Sequence, residues 1–287
     1  MALPVLALAV GIGGLLLAAG RKVTAALRQQ LGPDDFPESV PDRDAYILAQ
    51  VQAGNYTAVS APITSEIPGH TASFNVMADA LKVNGVRVNL SAAGQQRVAD
   101  ALNCLLLTPK LADLIWYQRV VTLPPFPRSA TQHDLQVMGT VERMIWHSQK
   151  IDSALAALGG AGAGGLICTV GKHWVIDDAL LAHPNKAENY GWHNTQTGPG
   201  CVTRESTTCR VIQDPGWAHN ALHADYSQTC VLVSRQCTVD GQPMDLETLL
   251  QDPTLAPLAS STGAMKVLRQ PGVPPSPPPN VAGTRKP

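Results

Sequence analysis

Leu81-Lys82-Val83-Asn84-Gly85-Val86-Arg87-Val88-Asn89-Leu90-Ser91-Ala92 holds a hairpin and the start of a helix in one short run. Asn-Gly between two β-type triplets is a strong hairpin signal, because both residues accept positive φ. Ser91 then offers an N-cap for a helix over 92–106, with Val98, Ala101, Leu102 and Leu105 on one face. Upstream, β-type runs at 63–67 and 71–76 are separated by Pro68-Gly69-His70. Downstream, Thr108-Pro109 supplies a cap and a first-turn proline for a helix over 110–117. Pro124, Pro125 and Pro127 break the chain, and a longer helix is expected over 133–158 with Leu135, Met138, Ile145, Ile151 and Leu155 inward. Short strands follow at 166–170, 173–176, 230–234 and 236–239, the last ended by Asp240-Gly241, and then helical turns at 245–251 and 253–258. Strands and helices come in runs and do not alternate. The pattern predicts one α+β domain: small hairpins plus three helices, then a short-stranded antiparallel sheet with long loops.

The chain of 287 residues is long enough to bury a real core. Its net charge of −1 argues against a nucleic-acid partner, whose electrostatic footprint is basic. Residues 2–20 carry no charge and as a helix reach about 28 Å, near the hydrocarbon thickness of a bilayer. No basic residue precedes this run, so a transmembrane anchor fits better than a cleaved signal peptide. The expected organisation is therefore a membrane anchor at 1–20, a helix and acidic Pro-containing linker at 21–58, the α+β domain at 59–270, and a Pro-rich disordered tail at 271–287. Arg21, Lys22 and Arg28 follow the anchor and would keep the domain in the cytoplasm. Two cysteine pairs, Cys201/Cys209 and Cys230/Cys237, point the other way if they form disulfides. The side of the membrane stays open, as does the alternative of reduced thiols throughout.

Chemistry-bearing residues gather between Gly171 and Gln228, where five of the eight histidines and three of the five tryptophans fall. His219 and His223 lie four apart and would share one face if that segment were helical. With His193 and Asp225 they form a candidate metal set for zinc or another divalent ion, or an acid–base set. The glutamate of a His-Glu-x-x-His metalloprotease is missing, and the other reading is that His219 and His223 are hydrogen-bonded core or surface histidines. Lys172, Trp174, Tyr190, Trp192 and Ser227 are the candidate substrate-binding residues. Each also has a plain reading: the tryptophans as core in a domain poor in Phe, Lys172 as solvated, Ser227 as a structural serine lacking any nucleophile elbow. His147, on the long helix, reads as a surface or boundary residue.

Three segments carry a resemblance. Residues 88–116, Tyr190-Gly191-Trp192-His193, and His219-x-x-x-His223-x-Asp225-Tyr226-Ser227-Gln228 resemble segments of a group of uncharacterised bacterial proteins. The resemblance spans 61–258 and implies shared ancestry but no particular activity. Relatives carry Gly-His-Lys-Lys-Asp where this chain has Val170-Gly171-Lys172-His173-Trp174, and His where it has Gln228. Those departures put any group activity in doubt for this member.

Two functions remain. One is a membrane-anchored hydrolase acting on a cell-envelope polymer through the His/Asp set. The other is a non-catalytic envelope or phage-like structural protein that uses the same aromatic loops to bind a polymer or protein partner. Convergence of His193, His219, His223 and Asp225 in one cleft favours the first. His193 on the opposite face from His223 favours the second.

Overall fold

The computed structural model describes residues 36–128, 137–159, 164–168, 170–193 and 211–275. Helix α1 (Val40–Gln52) comes first, capped by Ser39 and opened by a first-turn proline. This stretch falls in the region expected as helix and acidic Pro-containing linker at 21–58, and Pro41 sits where a proline starts a helix rather than breaking one. Ile47 and Val51 of α1 are buried in the main core, so the packed unit reaches back before Val59.

Strands β1 (Ser60–Ile67) and β2 (His70–Met77) form a hairpin of eight pairs, turning at Gly69 with φ 86°. Along β1 alternate residues are buried, as expected for a strand with one wet face. The hairpin of β3 (Lys82–Val83) and β4 (Val86–Arg87) turns through Asn84 and Gly85, φ 51° and 78°, as the Asn-Gly signal predicts. A Cβ at Gly85 would meet nothing within 4 Å, so its cost is conformational alone. Gly85→Ala is expected to lower unfolding stability by about 1 kcal/mol, read from the urea midpoint at unchanged slope.

Helix α2 (Ala92–Ala101) is capped by Ser91, whose hydroxyl accepts from Gly94 N and donates to the buried Asp44 of α1. It stops earlier than expected. Asn103 turns left-handed at φ 53°, and β5 (Cys104–Leu106) follows. Helix α3 (Pro109–Tyr117) begins at the Thr108 cap as predicted. β6 (Val121–Thr122) pairs in parallel with β7 (Ile167–Cys168). Between them helix α4 (Val141–Ala157) buries Val141, Met144, His147, Ser148 and Ile151, with Ile145 and Leu155 partly buried against the same core, as the expected inward face has it for Ile145, Ile151 and Leu155. Arg87 joins β4 to α4. Its buried guanidinium donates twice to Asp79 at 2.7 Å and once to Asp152 at 2.6 Å.

The second half returns to the first. β8 (Lys172–Val175), β9 (Glu188–His193) and β10 (Val211–Gly216) make a three-stranded antiparallel sheet in the order β10-β9-β8. β11 (Leu232–Val239), expected as two strands, is one bulged strand that lies between β2 on one edge and β5 and β12 (Gln242–Asp245) on the other. The main sheet is thus five-stranded and built from both halves, and helix α5 (Leu246–Gln251) closes it. The fold is α+β, as the sequence predicts.

Cys230 and Cys237 are free thiols, so the disulfide option for that pair fails. They are separate members of the core, Cys230 fully buried and Cys237 opposite Phe74. Cys201 and Cys209 lie outside the described residues. Among the described residues no helix is long and apolar enough to cross a membrane. The anchor expected at 2–20 and most of the Pro-rich tail also lie outside them.

Candidate functional site

On β8 the side chains alternate, Lys172 and Trp174 to one face, His173 and Val175 to the other. Their cross-strand partners on β9 are Gly191, Tyr190, Asn189 and Glu188 for 172, 173, 174 and 175 in turn. Trp174 is fully buried and donates from Nε1 to Leu90 O at 2.9 Å, which is the core reading. Gly191 and Trp192 then take φ 124° and 55° in succession. A left-handed tryptophan is strained, on the order of 1–3 kcal/mol, and here it resets the alternation of the strand. Tyr190 and His193 both reach Asp113 of α3, the tyrosine hydroxyl at 2.5 Å and His193 Nε2 at 2.8 Å. His193 also stacks on Trp116, ring centroids 5.2 Å apart. Trp192 goes the other way, beneath the Lys172 ammonium at 5.6 Å.

Asp225 organises the second group. Its Oδ2 pairs with Lys172 Nζ at 3.0 Å, and its Oδ1 accepts from Ser227 N at 2.8 Å and Ser227 Oγ at 2.5 Å. Its backbone N–H donates to Gln228 Oε1 at 2.6 Å, and its carbonyl accepts from Asn89 at 2.8 Å. Burial pushes this carboxyl up, but the Lys172 charge and the Ser227 bonds outweigh it and hold it below the usual carboxylate range. Ser227 is wholly buried and spends its proton on Asp225, so it is a structural serine. Lys172 N also donates to Ser227 O at 2.7 Å, which brings β8 close enough that Gly171 has no room for a side chain. A Cβ there would fall on Thr229 Oγ1 and lie 2.5 Å from the Ser227 carbonyl oxygen. Gly171→Ala is expected to cost about 1–3 kcal/mol of stability, measured by thermal or urea unfolding.

His219 and His223 lie in a turn, not a helix, yet their rings stack at 3.8 Å with planes 3° apart. His219 meets Trp174 edge-on at 6.2 Å. Burial lowers both imidazoles below their ordinary value, and for His223 the neighbouring His219 adds to it. Both are therefore uncharged at neutral pH. Beside them Trp217 stacks on His183 at 4.7 Å, and not on Trp192.

Sequence reasoning missed His147. It is 1% exposed, and its ring lies 5.4 Å from Tyr226 and 6.0 Å from Trp192. Burial, with Arg87 and Lys172 acting the same way against Asp225, pushes its pKa down to about 4. The signal was present: 144, 147, 148 and 151 follow the helical period of a buried face.

The expected four-residue centre does not form. His193 is held by Asp113, and both Asp225 oxygens are taken by Lys172 and Ser227. Among the described residues no group of three or more His, Cys, Asp or Glu side chains is placed to hold a metal ion. For the zinc or divalent-metal expectation at His193, His219, His223 and Asp225, the described residues therefore offer no assembled ligand set. What remains is two separate polar groups: Asp113, Tyr190 and His193 on one side, and Lys172, Asp225, Ser227, Trp192 and His147 on the other, bordered by His219 and His223. No family model, no curated protein and no solved structure matches this chain.

Proposed function

We propose that the chain is a non-catalytic recognition module of the cell envelope, holding a polymer or a protein partner on the surface formed by β8, β9 and residues 217–228. The observation that carries this reading is that His193 and His223 take different partners, Asp113 and Trp116 for the one and His219 for the other. Each carboxylate is closed on its own protein partners, Asp113 on His193 and Tyr190, Asp225 on Lys172 and Ser227. The rings that stay half-buried are paired, His219 on His223 and Trp217 on His183, and such planar faces suit stacking against a sugar or a planar group. The apolar run at 2–20 supports the envelope as the place of work. With insoluble peptidoglycan as the probe, the purified chain is expected to co-sediment and to release no soluble fragments. Trp217→Ala with His219→Ala should weaken retention about tenfold, the loss of two modest stacked contacts of roughly 0.7 kcal/mol each.

The lowered pKa of His219 and His223 favours a second reading. A free-base imidazole can take a proton from water and return it to a leaving group, so a metal-independent hydrolase of an envelope polymer uses the same surface. Fragments released at a rate that falls below pH 6.5 and vanishes in His223→Ala would replace the recognition reading with this one.

A further inference from the structure

Buried polar atoms around Lys172 and Asp225 that have no hydrogen-bond partner among the described residues include three on side chains that can donate, Trp192 Nε1, His147 Nε2 and Gln228 Nε2, beside the acceptors Asn89 Oδ1 and Gln95 Oε1. Trp192, His147 and Gln228 are 4%, 1% and 0% exposed. The three belong to one contiguous group. His147 and Trp192 lie 6.0 Å apart, and both contact Tyr226 at 5.4 and 6.3 Å. Lys172 Nζ stands over Trp192 and bonds Asp225, and Gln228 holds the Asp225 backbone. A buried donor without a partner carries its full desolvation penalty, and three such atoms in one group call for an occupant.

The chemistry of the donors selects that occupant. An indole N–H only donates. Gln228 already uses its oxygen on Asp225 N and has its NH2 left. Lys172 has ammonium protons beyond the one given to Asp225. His147 Nε2 serves either way. The complement is an acceptor oxygen. Charge then decides between acceptors: the two cations nearest His147 and Trp192 are already paired, Lys172 with Asp225 and Arg87 with Asp79 and Asp152. A carboxylate buried here would lack a counter-charge, whereas a carbonyl needs none.

We propose that Trp192, His147, Gln228 and Lys172 form a binding site for a neutral amide carbonyl, of the kind an N-acetyl group or a peptide bond carries. The proposal rests on the recognition reading only for the source of that amide. Lys172, with 12% of its side chain exposed, is the member through which the site meets the half-buried His219 and His223.

The test uses the full chain with 15N-labelled tryptophan, which carries five indole N–H groups. The Trp192 resonance is assigned from Trp192→Phe, or by elimination with Phe at the other four positions should that variant not fold. N-Methylacetamide is expected to shift the Trp192 signal saturably, and sodium acetate is not. Gln228→Leu should weaken the response about fivefold, the equivalent of one neutral hydrogen bond. N-Acetylglucosamine and N-acetylglycinamide tell an amino-sugar source from a peptide one, and a response to either sustains the site. Acetate saturating as well as the amides would overturn the charge argument. No saturable shift with any probe means that the site holds a buried water only, and the proposal falls. Peptidoglycan retention without a Trp192 response sinks this site and leaves the recognition reading standing. An amide response without retention does the reverse.

Discussion

Acidification from pH 6.5 towards 4 is expected to remove on the order of 5 kcal/mol of stability and to unfold the protein well before its carboxylates titrate. His147 and His173 are both buried, and burial pushes them down to about 4 and about 3, His173 with help from His193. The unfolded chain binds protons at both positions near pH 6.5, and the folded state refuses them. Each group therefore tilts the balance towards unfolding by up to about 1.4 kcal/mol per pH unit, beginning at 6.5 and continuing to its own folded pKa. His219 and His223, also lowered, act in the same direction. Asp44, raised by burial, pulls the other way, but it is one group against several. Urea midpoints measured at pH 7, 6, 5 and 4.5 should fall steeply, and His147→Phe should flatten the slope. A midpoint independent of pH across that range would show that these imidazoles are protonated in the fold.

Asp225→Ala is the substitution with the largest expected effect, a loss of about 3–5 kcal/mol. It strands the Lys172 ammonium, nearly buried, and removes the acceptor for both Ser227 donors. Because the native carboxyl is held below its ordinary range, its contribution is complete above pH 4 and is lost only in stronger acid, separate from the histidine window. Removing the stranded charge as well, with Lys172→Met, should recover part of the loss. Additive losses in the double variant, by chemical denaturation, would mean that the two side chains do not stabilise each other.

Where local backbone chemistry decides, the sequence is readable. Asn84-Gly85, Ser91 and Thr108-Pro109 each act within a few residues, and each stands where expected. The run Leu105-Leu106-Leu107 does not disclose its state, because continuous apolar residues suit a buried strand as well as a helix. Its pairing with β11 and the left turn at Asn103 make it strand. For β9 no nearby pattern exists. The reversal at Gly191 and Trp192 is held by Asp113, eighty residues away in the chain, and by Lys172 above the indole. Lys172, Asp225 and Ser227 were visible as a cluster by type, but their pairing follows from β8 lying beside residues 225–229. His193 was grouped with His223 by proximity in sequence and composition, and the backbone at 191–192 undoes that grouping.

The place of β11 has a consequence for biosynthesis. β1 and β2 leave the ribosome as a hairpin with one apolar face, whose inner edge finds its partner only at residues 233–239. β5 waits for the same strand. For about ten seconds, at ordinary translation rates, the hairpin waits with an open β edge and no complete sheet to join while more than 150 further residues are made. The order of synthesis thus makes β11 the strand that commits β2 and β5 to one sheet.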